Sequence, residues 1–442
     1  MGALTDKLRD LEGIVGEAHL LTATELVGAC RVDGQQPLAV VSPGTPEEVA
    51  AVLRAAAGAE FSVLLRGAGR HLHLGAPPTA VGLVVSLARL DGIVEYDAEN
   101  LTITAQAGVT LEALQRMVRE RGQMLPLDPP GGDGATLGGI AATNLAGPLR
   151  MRYGSPRDLV IGLRVALAEG ALAEGALVKT GGKTVKNVAG YELSKLFVGS
   201  YGTLGAICEA TVRLAPAPEA TAVAAAALPP ERAREIVGEL LASPLEVSTL
   251  DVANEAAVGR MRASLPLTIG AQTRVLFVGL MGDGAAVARQ ERDIRAMVGS
   301  GCARLDGDEA AQVWEGLREA PYPNGPGAVV ARASVPLART GEVVEMVTGW
   351  EGWWALARAG DGVVYAGPPE GAGPAEAEEN LRSLRALVGQ SGGYVMLEAG
   401  PAELKRSFTV WGEVANQDLM RGLKEAYDPT GTLGCGRYLP GV

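Results

Sequence analysis

The stretch Arg66 to Gly75, RGAGRHLHLG, combines residue types that could hold a phosphate. It follows the apolar run Phe61 to Leu65. A strand that ends in a glycine-rich turn leaves backbone N–H groups unpaired with no side chains in the way, so a pyrophosphate can accept hydrogen bonds from them directly. The spacing Gly67, Gly69, Gly75 and the AlaProProThr that follows depart from the nicotinamide-binding fingerprint, whose third glycine opens an apolar helix. A second stretch, Asp128 to Gly154, holds seven glycines and three prolines in 27 residues. It has no helical or strand period and is expected to run extended and irregular, as a segment wrapping a long, flat ligand would.

The elements that must position these loops follow from periodicity. Residues up to about Gly34 read as a helical lead-in with Leu4, Leu8 and Leu11 on one face, a packing arm. Pro37 to Ser42 is a short strand. Thr45, Pro46 and Glu48 then supply an N-cap, a first-turn proline and a capping acid for a helix striped by Val49, Val52, Leu53 and Ala56. Val81 to Leu87 is a strand, Ile93 to Tyr96 and Leu101 to Ala107 form a hairpin, and Thr110 caps a helix that Gly122 closes. Strands follow at Leu159 to Leu167 and Leu177 to Thr180. Beyond Pro218 the chain becomes alanine-rich, with helices near Glu231 to Leu241 and Ala285 to Val298 and a strand at Arg274 to Leu280. A last helix, Leu419 to Tyr427, precedes DPTGTLGCGRYLPGV.

Composition narrows the class. A chain of 442 residues exceeds one ordinary core, so two lobes are expected. Its 60 glycines and 4% aromatic share favour tight turns and close backbone approaches. A net charge of −12 argues against a nucleic-acid partner. The N-terminus mixes charges of both signs, unlike a signal or transit peptide, and no apolar run approaches membrane length. A cytoplasmic location is expected, with a membrane reached only through partners. Cys30, Cys208, Cys302 and Cys435 stand far apart without a CxxC pair, which argues against an iron–sulfur cluster held by this chain alone and against disulfides.

Four stretches coincide in order and spacing with one family: RGAGRHLHLG from Arg66, GATLGGIAATNLAGP from Gly134, VKTGGKTVKNVAGYELSKLFVGSYGTLGAICE from Val178, and YDPTGTLGCGR from Tyr427. The chain resembles flavoproteins of the vanillyl-alcohol oxidase and p-cresol methylhydroxylase (PCMH) type, and among them the FAD-binding E subunits of bacterial glycolate oxidases. The resemblance covers the first half and the final forty residues better than the middle. It implies an α+β fold: a PCMH-type FAD-binding domain of two α+β subdomains plus a smaller α+β cap domain. The corresponding division is a helical arm at 1–34, the FAD-binding domain at 35–218, the cap at 219–399 and a segment at 400–442 that returns to the FAD domain.

Carried over by position, Arg66, Gly67, Ala68, Gly69, Arg70, His71 and Gly75 would hold the FAD pyrophosphate. Gly134, Ala135, Thr136, Gly138 and Gly139 would continue the cradle. Ala142, Asn144, Tyr153 and Gly154 would pass beside the ribityl chain and ring, and Gly205 and Ile207 would lie near the adenosine end. Lys183, Lys186 and Tyr191 read as part of an amphipathic helix with solvated lysines. Arg437 follows GlyCysGly where the family has Asn-Pro-Gly, and it is read as a surface residue rather than a cation at the flavin.

Two departures bear on chemistry. Relatives with a covalent flavin carry histidine at the fifth position of the glycine turn; here that position is Arg70, so FAD is expected to bind non-covalently. The histidine-rich metal motif of the catalytic D-2-hydroxy-acid dehydrogenases is also missing, since the three histidines are His19, His71 and His73. A base for the substrate hydroxyl would have to be another group, and Tyr322, Glu398 and Tyr365 are the candidates in the cap. The expected role is therefore an electron-transferring or structural FAD subunit of a glycolate- or D-lactate-oxidising complex. Its partners would be a homologous catalytic flavoprotein and an iron–sulfur subunit. The alternatives are a self-sufficient D-2-hydroxy-acid dehydrogenase and a scaffold with a vestigial flavin site.

Overall fold

A computed structural model describes residues 2–168, 177–182, 193–322, 328–434 and 436–439. The fold is α+β and is built on three main sheets. The first contains β1 (Leu20–Leu21), β2 (Ala39–Val41), β3 (Val63–Arg66) and β4 (Leu83–Ser86) in the order β1-β2-β4-β3. Strands β2, β3 and β4 run parallel, and the crossover between β2 and β3 is the helix Pro46–Gly58. That helix starts as its sequence requires. The Thr45 hydroxyl accepts from the Glu48 N–H at 3.1 Å, while the Glu48 carboxylate reaches back to the Gly44 N–H at 2.7 Å.

The second sheet contains β5 (Ile93–Asp97), β6 (Thr102–Gln106), β8 (Val160–Ala166), β9 (Leu177–Gly181) and β10 (Ala206–Arg213) in the order β5-β6-β10-β8-β9, all antiparallel. Between them in sequence, β7 (Gln123–Met124) pairs with β11 (Ala215–Pro216). The first and second sheets share one apolar core with the helices Pro46–Gly58 and Leu111–Arg119. The N-terminal stretch does more than pack as a helical arm: it supplies the helix Gly2–Val15, whose Leu11 and Val15 enter this core, and also β1, an edge strand of the first sheet.

The third sheet has eight strands: β12 (Ala220–Leu228), β13 (Thr249–Ala253), β14 (Arg274–Gly282), β15 (Ala303–Asp306), β16 (Val330–Ser334), β17 (Trp354–Arg358), β18 (Val363–Gly367) and β19 (Tyr394–Ala399). Their order is β15-β12-β14-β13-β17-β18-β16-β19. Alternation divides its residues between two faces. Ala222, Ala224, Leu276, Val278, Ala355 and Val364 face a layer that includes the helices Pro230–Ala242, Gly284–Val298, Thr340–Thr348 and Pro374–Gln390. Val223, Ala225, Val275, Phe277, Trp354 and Leu356 face the helix Gly307–Glu319 and the loop residues Leu74, Leu145 and Tyr201. The second face therefore meets the loops that follow the first two sheets.

The segment Asp128 to Gly154 corrects the expectation of an irregular wrap. It contains a helical turn at Gly132–Gly134 and helices at Leu137–Thr143 and Arg150–Tyr153. Its glycine content hides the start signal: Thr136 has extended backbone and its hydroxyl accepts from the Gly139 N–H at 3.3 Å, while Asn144 ends the helix at φ 52°. Asp128 ties the segment together, because both its carboxylate oxygens accept from the Leu149 N–H, at 3.2 and 3.0 Å. Cys30, Cys208 and Cys302 are buried free thiols, and Cys435 lies outside the described residues.

Burial drives the Asp128 carboxyl up to about 7, against the pull of the Leu149 N–H and of Arg358 and Arg318. Its contribution to stability is thus fully present below the unfolded-chain value near 3.8 and is lost as pH rises through about 7. Asp128→Asn should flatten the fall in the urea midpoint across that window and leave the variant the more stable protein at alkaline pH.

Candidate functional site

Between the first two sheets lies a cleft of about 90 Å³. Arg66, Gly67, Ala68, Gly69, Arg70 and His71 form one wall, immediately after β3. Ala135, Thr136, Gly138, Gly139 and Ala142, on and just before the helix Leu137–Thr143, form the opposite wall, and Gly205 and Ile207 at the start of β10 close one end. The N–H groups of Gly67, Ala68, Gly69 and Arg70 take part in no hydrogen bond among the described residues. Backbone donors left without partners beside a cavity suit an anionic ligand.

The walls touch where the glycines stand. A Cβ on Gly67 would lie 2.1 Å from the Thr136 hydroxyl oxygen, and one on Gly138 would lie 2.6 Å from the Ala107 Cβ. Gly69 adopts φ 81°, a conformation that favours glycine.

The other carried-over residues do not line the cleft. Gly75 sits beneath the C-terminal segment, where a Cβ would come within 2.6 Å of the Arg437 carbonyl oxygen. Gly134 lies under the Arg70 guanidinium, with a Cβ there 2.9 Å from Nη2. Asn144 accepts from the Arg157 N–H at 3.0 Å, Tyr153 stacks under Arg152, and Gly154 turns the chain at φ 84°. Lys183, Lys186 and Tyr191 fall outside the described residues.

Arg437 corrects the expectation of a surface position. It is 4% exposed and lines the cleft. Its guanidinium donates to the carbonyls of Leu72 (2.6 Å), Leu74 and Ala76 (3.1 Å) and pairs with Asp33 at 3.1 Å. Lys405 pairs with Asp33 as well, also at 3.1 Å, and donates to the His73 carbonyl at 2.5 Å. The C-terminal segment further joins β3 edge-on, with the Val63 N–H donating to the Thr432 carbonyl at 2.7 Å and the Gly434 N–H to the Val63 carbonyl at 2.8 Å. Leu65, Leu72, Leu87, Ala107, Thr143, Tyr201 and Gly202 also line the cleft. Among these, Tyr201 and Gly202 lie within the quoted GSYGTLGAI run, whereas Leu87 and Ala107 carry no sequence signal.

The three candidate bases come together. Tyr365, Glu398 and Arg332 lie on the third sheet, Arg332 opposite Tyr365 in the β16–β18 register. The Tyr322 hydroxyl donates to the Glu398 carboxylate, whose other oxygen lies 3.6 Å from Arg332 Nε. Burial raises the Glu398 carboxyl against the opposing pull of Arg332. Burial, with the Glu398 charge second, pushes the Tyr365 phenol up to about 12 and Tyr322 well above its usual range.

Sequence reasoning placed no histidine here, yet His73 reaches the cluster from the glycine loop, its ring 5.1 Å from that of Tyr322. Its Nε2 is buried and has no hydrogen-bond partner among the described residues. Burial first, and then the positive surroundings of His71, Lys405 and Arg437, lower its pKa to about 3, so the ring is neutral near pH 7.

Comparison with known proteins accords with this geometry. Residues 37–175 match the family model described as "FAD binding domain". Glycolate oxidase subunit GlcD of Bacillus subtilis is 30% identical over 422 residues, covering 91% of this chain and 88% of that one. The chain belongs to the vanillyl-alcohol oxidase and PCMH family of FAD-binding flavoproteins. Within this family, glycolate oxidase subunit GlcE of Escherichia coli is 34% identical over 263 residues, 59% of this chain and 65% of that one. The solved structure of p-cresol methylhydroxylase with substrate bound shares the fold at a TM-score of 0.76 and 16% identity, covering 99% of this chain and 97% of that one.

The residues present fit FAD, the cofactor of this family. Free N–H donors stand where an anion would sit, the Arg66 Nε is a further buried donor without a partner, and the cleft continues between two glycine-bearing walls. Gly67→Ala should force the walls apart and lower the flavin absorbance per chain, with little change in far-UV circular dichroism. Adding Thr136→Ala removes the overlapping hydroxyl and should restore part of the loss, offset by about 1 kcal/mol for the missing N-cap.

Proposed function

We propose that the chain is the FAD-binding, electron-carrying subunit of a complex that oxidises a 2-hydroxy acid such as glycolate or D-lactate. The observation that carries this reading is the row of unpartnered N–H groups from Gly67 to Arg70 facing a second glycine-bearing wall. FAD held there would accept an electron pair and pass it on. In this reading the cleft-lining residues of both walls bind the cofactor, 35–218 is the FAD-binding domain and 219–399 the cap. Two further features support it. The relatives GlcD and GlcE are named as subunits, and no histidine follows residue 73 to serve as a metal ligand in the cap.

The partners in this reading are a homologous flavoprotein that binds the substrate and an iron–sulfur subunit. No helix among the described residues is long and apolar enough to cross a membrane, so membrane contact would come through those partners, from the cytoplasmic side. Binding of FAD is non-covalent: Arg70 holds the fifth position of the turn, and His71 uses its Nε2 to donate to the Pro130 carbonyl at 2.8 Å. Acid precipitation should leave the FAD in the supernatant; flavin that stays in the pellet would reject this point.

One observation favours a second reading, in which the chain oxidises the acid by itself. The His73 Nε2 lone pair is available beside Tyr322 and Glu398, and Arg332 provides a cation that could orient a carboxylate. His73 would then take the hydroxyl proton. Anaerobic titration with glycolate and D-lactate separates the two readings. The subunit reading expects the flavin spectrum of the isolated chain to persist and to bleach once the partners are added. Bleaching of the chain alone would overturn it, and His73→Ala should then slow that bleaching by about a hundredfold or more.

A further inference from the structure

The cofactor cleft shares a wall with a second cavity. Tyr201 and Gly202 line the cleft, whereas Ser200 and Thr203 line a groove of about 240 Å³ on the other side; in the same way Arg437 faces the cleft and Tyr438 the groove. Three aromatic rings bridge the wall. Tyr201 lies 5.0 Å from Trp411 and 5.8 Å from Tyr438, and Trp411 lies 4.8 Å from Tyr438, all between ring centroids.

In a chain with a 4% aromatic share, this is a concentrated set. Tyr201 adopts φ 57°, a conformation that bulky residues seldom take. The Trp411 indole N–H is buried with no partner among the described residues, so none of them holds its ring there by a hydrogen bond. An aliphatic side chain in place of Trp411 would pack there without burying an unpartnered N–H.

The groove differs from the rest of the protein in charge. The chain carries −12 overall, yet among the described residues the groove lining includes the cations Arg157 and Lys195 and no carboxylate, Asp158 lying close enough to Lys195 to feel its charge. Apart from Ser200, Thr203 and Tyr438, its remaining wall is apolar, including Leu196, Met420 and Leu423, and beside it Leu419 on the helix Gln417–Tyr427 is 67% exposed. An apolar centre edged by cations suits a protein partner of opposite charge.

We propose that Tyr201, Trp411 and Tyr438 form the route by which electrons leave a flavin in the cleft, and that the groove around Tyr438 docks an acidic, one-electron carrier protein. The proposal rests on the reading of the cleft as a redox-active FAD site. A reduced flavin held there would release two electrons and one proton in all, one electron to each of two carrier molecules and the proton to solvent. Rings in contact shorten the gaps an electron must cross, and the two cations hold an acidic partner over the exit.

The test uses the full chain with FAD bound, reduced anaerobically by dithionite and mixed with an acidic haem protein, cytochrome b5, or a basic one, cytochrome c. Tyr438→Leu should slow reoxidation severalfold with flavin content unchanged, and Tyr438→Phe, which keeps the ring, should recover most of the rate. Arg157→Glu with Lys195→Glu should slow reoxidation by cytochrome b5 about tenfold at low ionic strength, with the difference disappearing at high salt. It should not slow cytochrome c.

A second readout needs no turnover. Trp411→Phe should lengthen the excited-state lifetime of the bound flavin, which tryptophan shortens by donating an electron. Wild-type reoxidation by Tyr438→Leu would overturn the route, and equal slowing with both carriers would overturn the docking face. A chain that purifies without flavin, or whose flavin dithionite cannot reduce, would instead overturn the underlying functional reading.

Discussion

The buried guanidinium of Arg437 is the interaction on which the site depends. The glycine loop after β3 cannot hold its own shape, because the N–H groups that would stabilise a tight turn are those left open toward the cleft. Arg437 supplies the missing constraint by collecting the carbonyls of Leu72, Leu74 and Ala76 on one planar fork, while Asp33 pairs with both it and Lys405 and offsets one of the two charges. Desolvating two cations and one carboxylate is costly, and it is tolerated where carbonyl acceptors complete the shell. The loop is thus rigid from behind and unsatisfied in front.

The third sheet extends the same logic. Its two faces are both buried, but only one packs against helices in the ordinary way along its whole length. The other receives Leu74 and Tyr201 from the cofactor side, and the same sheet carries Arg332, Tyr365 and Glu398. A polar, titratable group on a buried sheet is expensive unless it is paired, and Glu398 is paired with Arg332 and with the Tyr322 hydroxyl. His73 is the exception, with a nitrogen that finds no partner at the point where the two layers meet.

Much of the first half was legible because its signals are local. Thr45 with Glu48, Thr110 with Gly122, and the alternation of β6 each act over a few residues, and each element formed where the pattern put it. The close approach of the two glycine-bearing loops was legible from Gly67, since nothing larger than hydrogen fits between it and Thr136. What could not be read was set by distant parts of the chain. Arg437 looks like a tail residue until Asp33 and the loop carbonyls surround it. His73 looks like a loop residue until Tyr322 is placed against it, and the helix Leu137–Thr143 is disguised by the glycines its close approach to Ala107 demands.

The C-terminal hook also sets an order of events. Arg437 and the Leu72 carbonyl it binds are 365 positions apart, so the cradle is among the contacts of greatest sequence separation in the molecule. Such contacts form late, after the loop-closure entropy of everything between them has been met. A chain still being synthesised can hold its first two sheets but not the finished cradle. The finished loop is in this sense a late product of folding, complete only in a chain whose two ends have met.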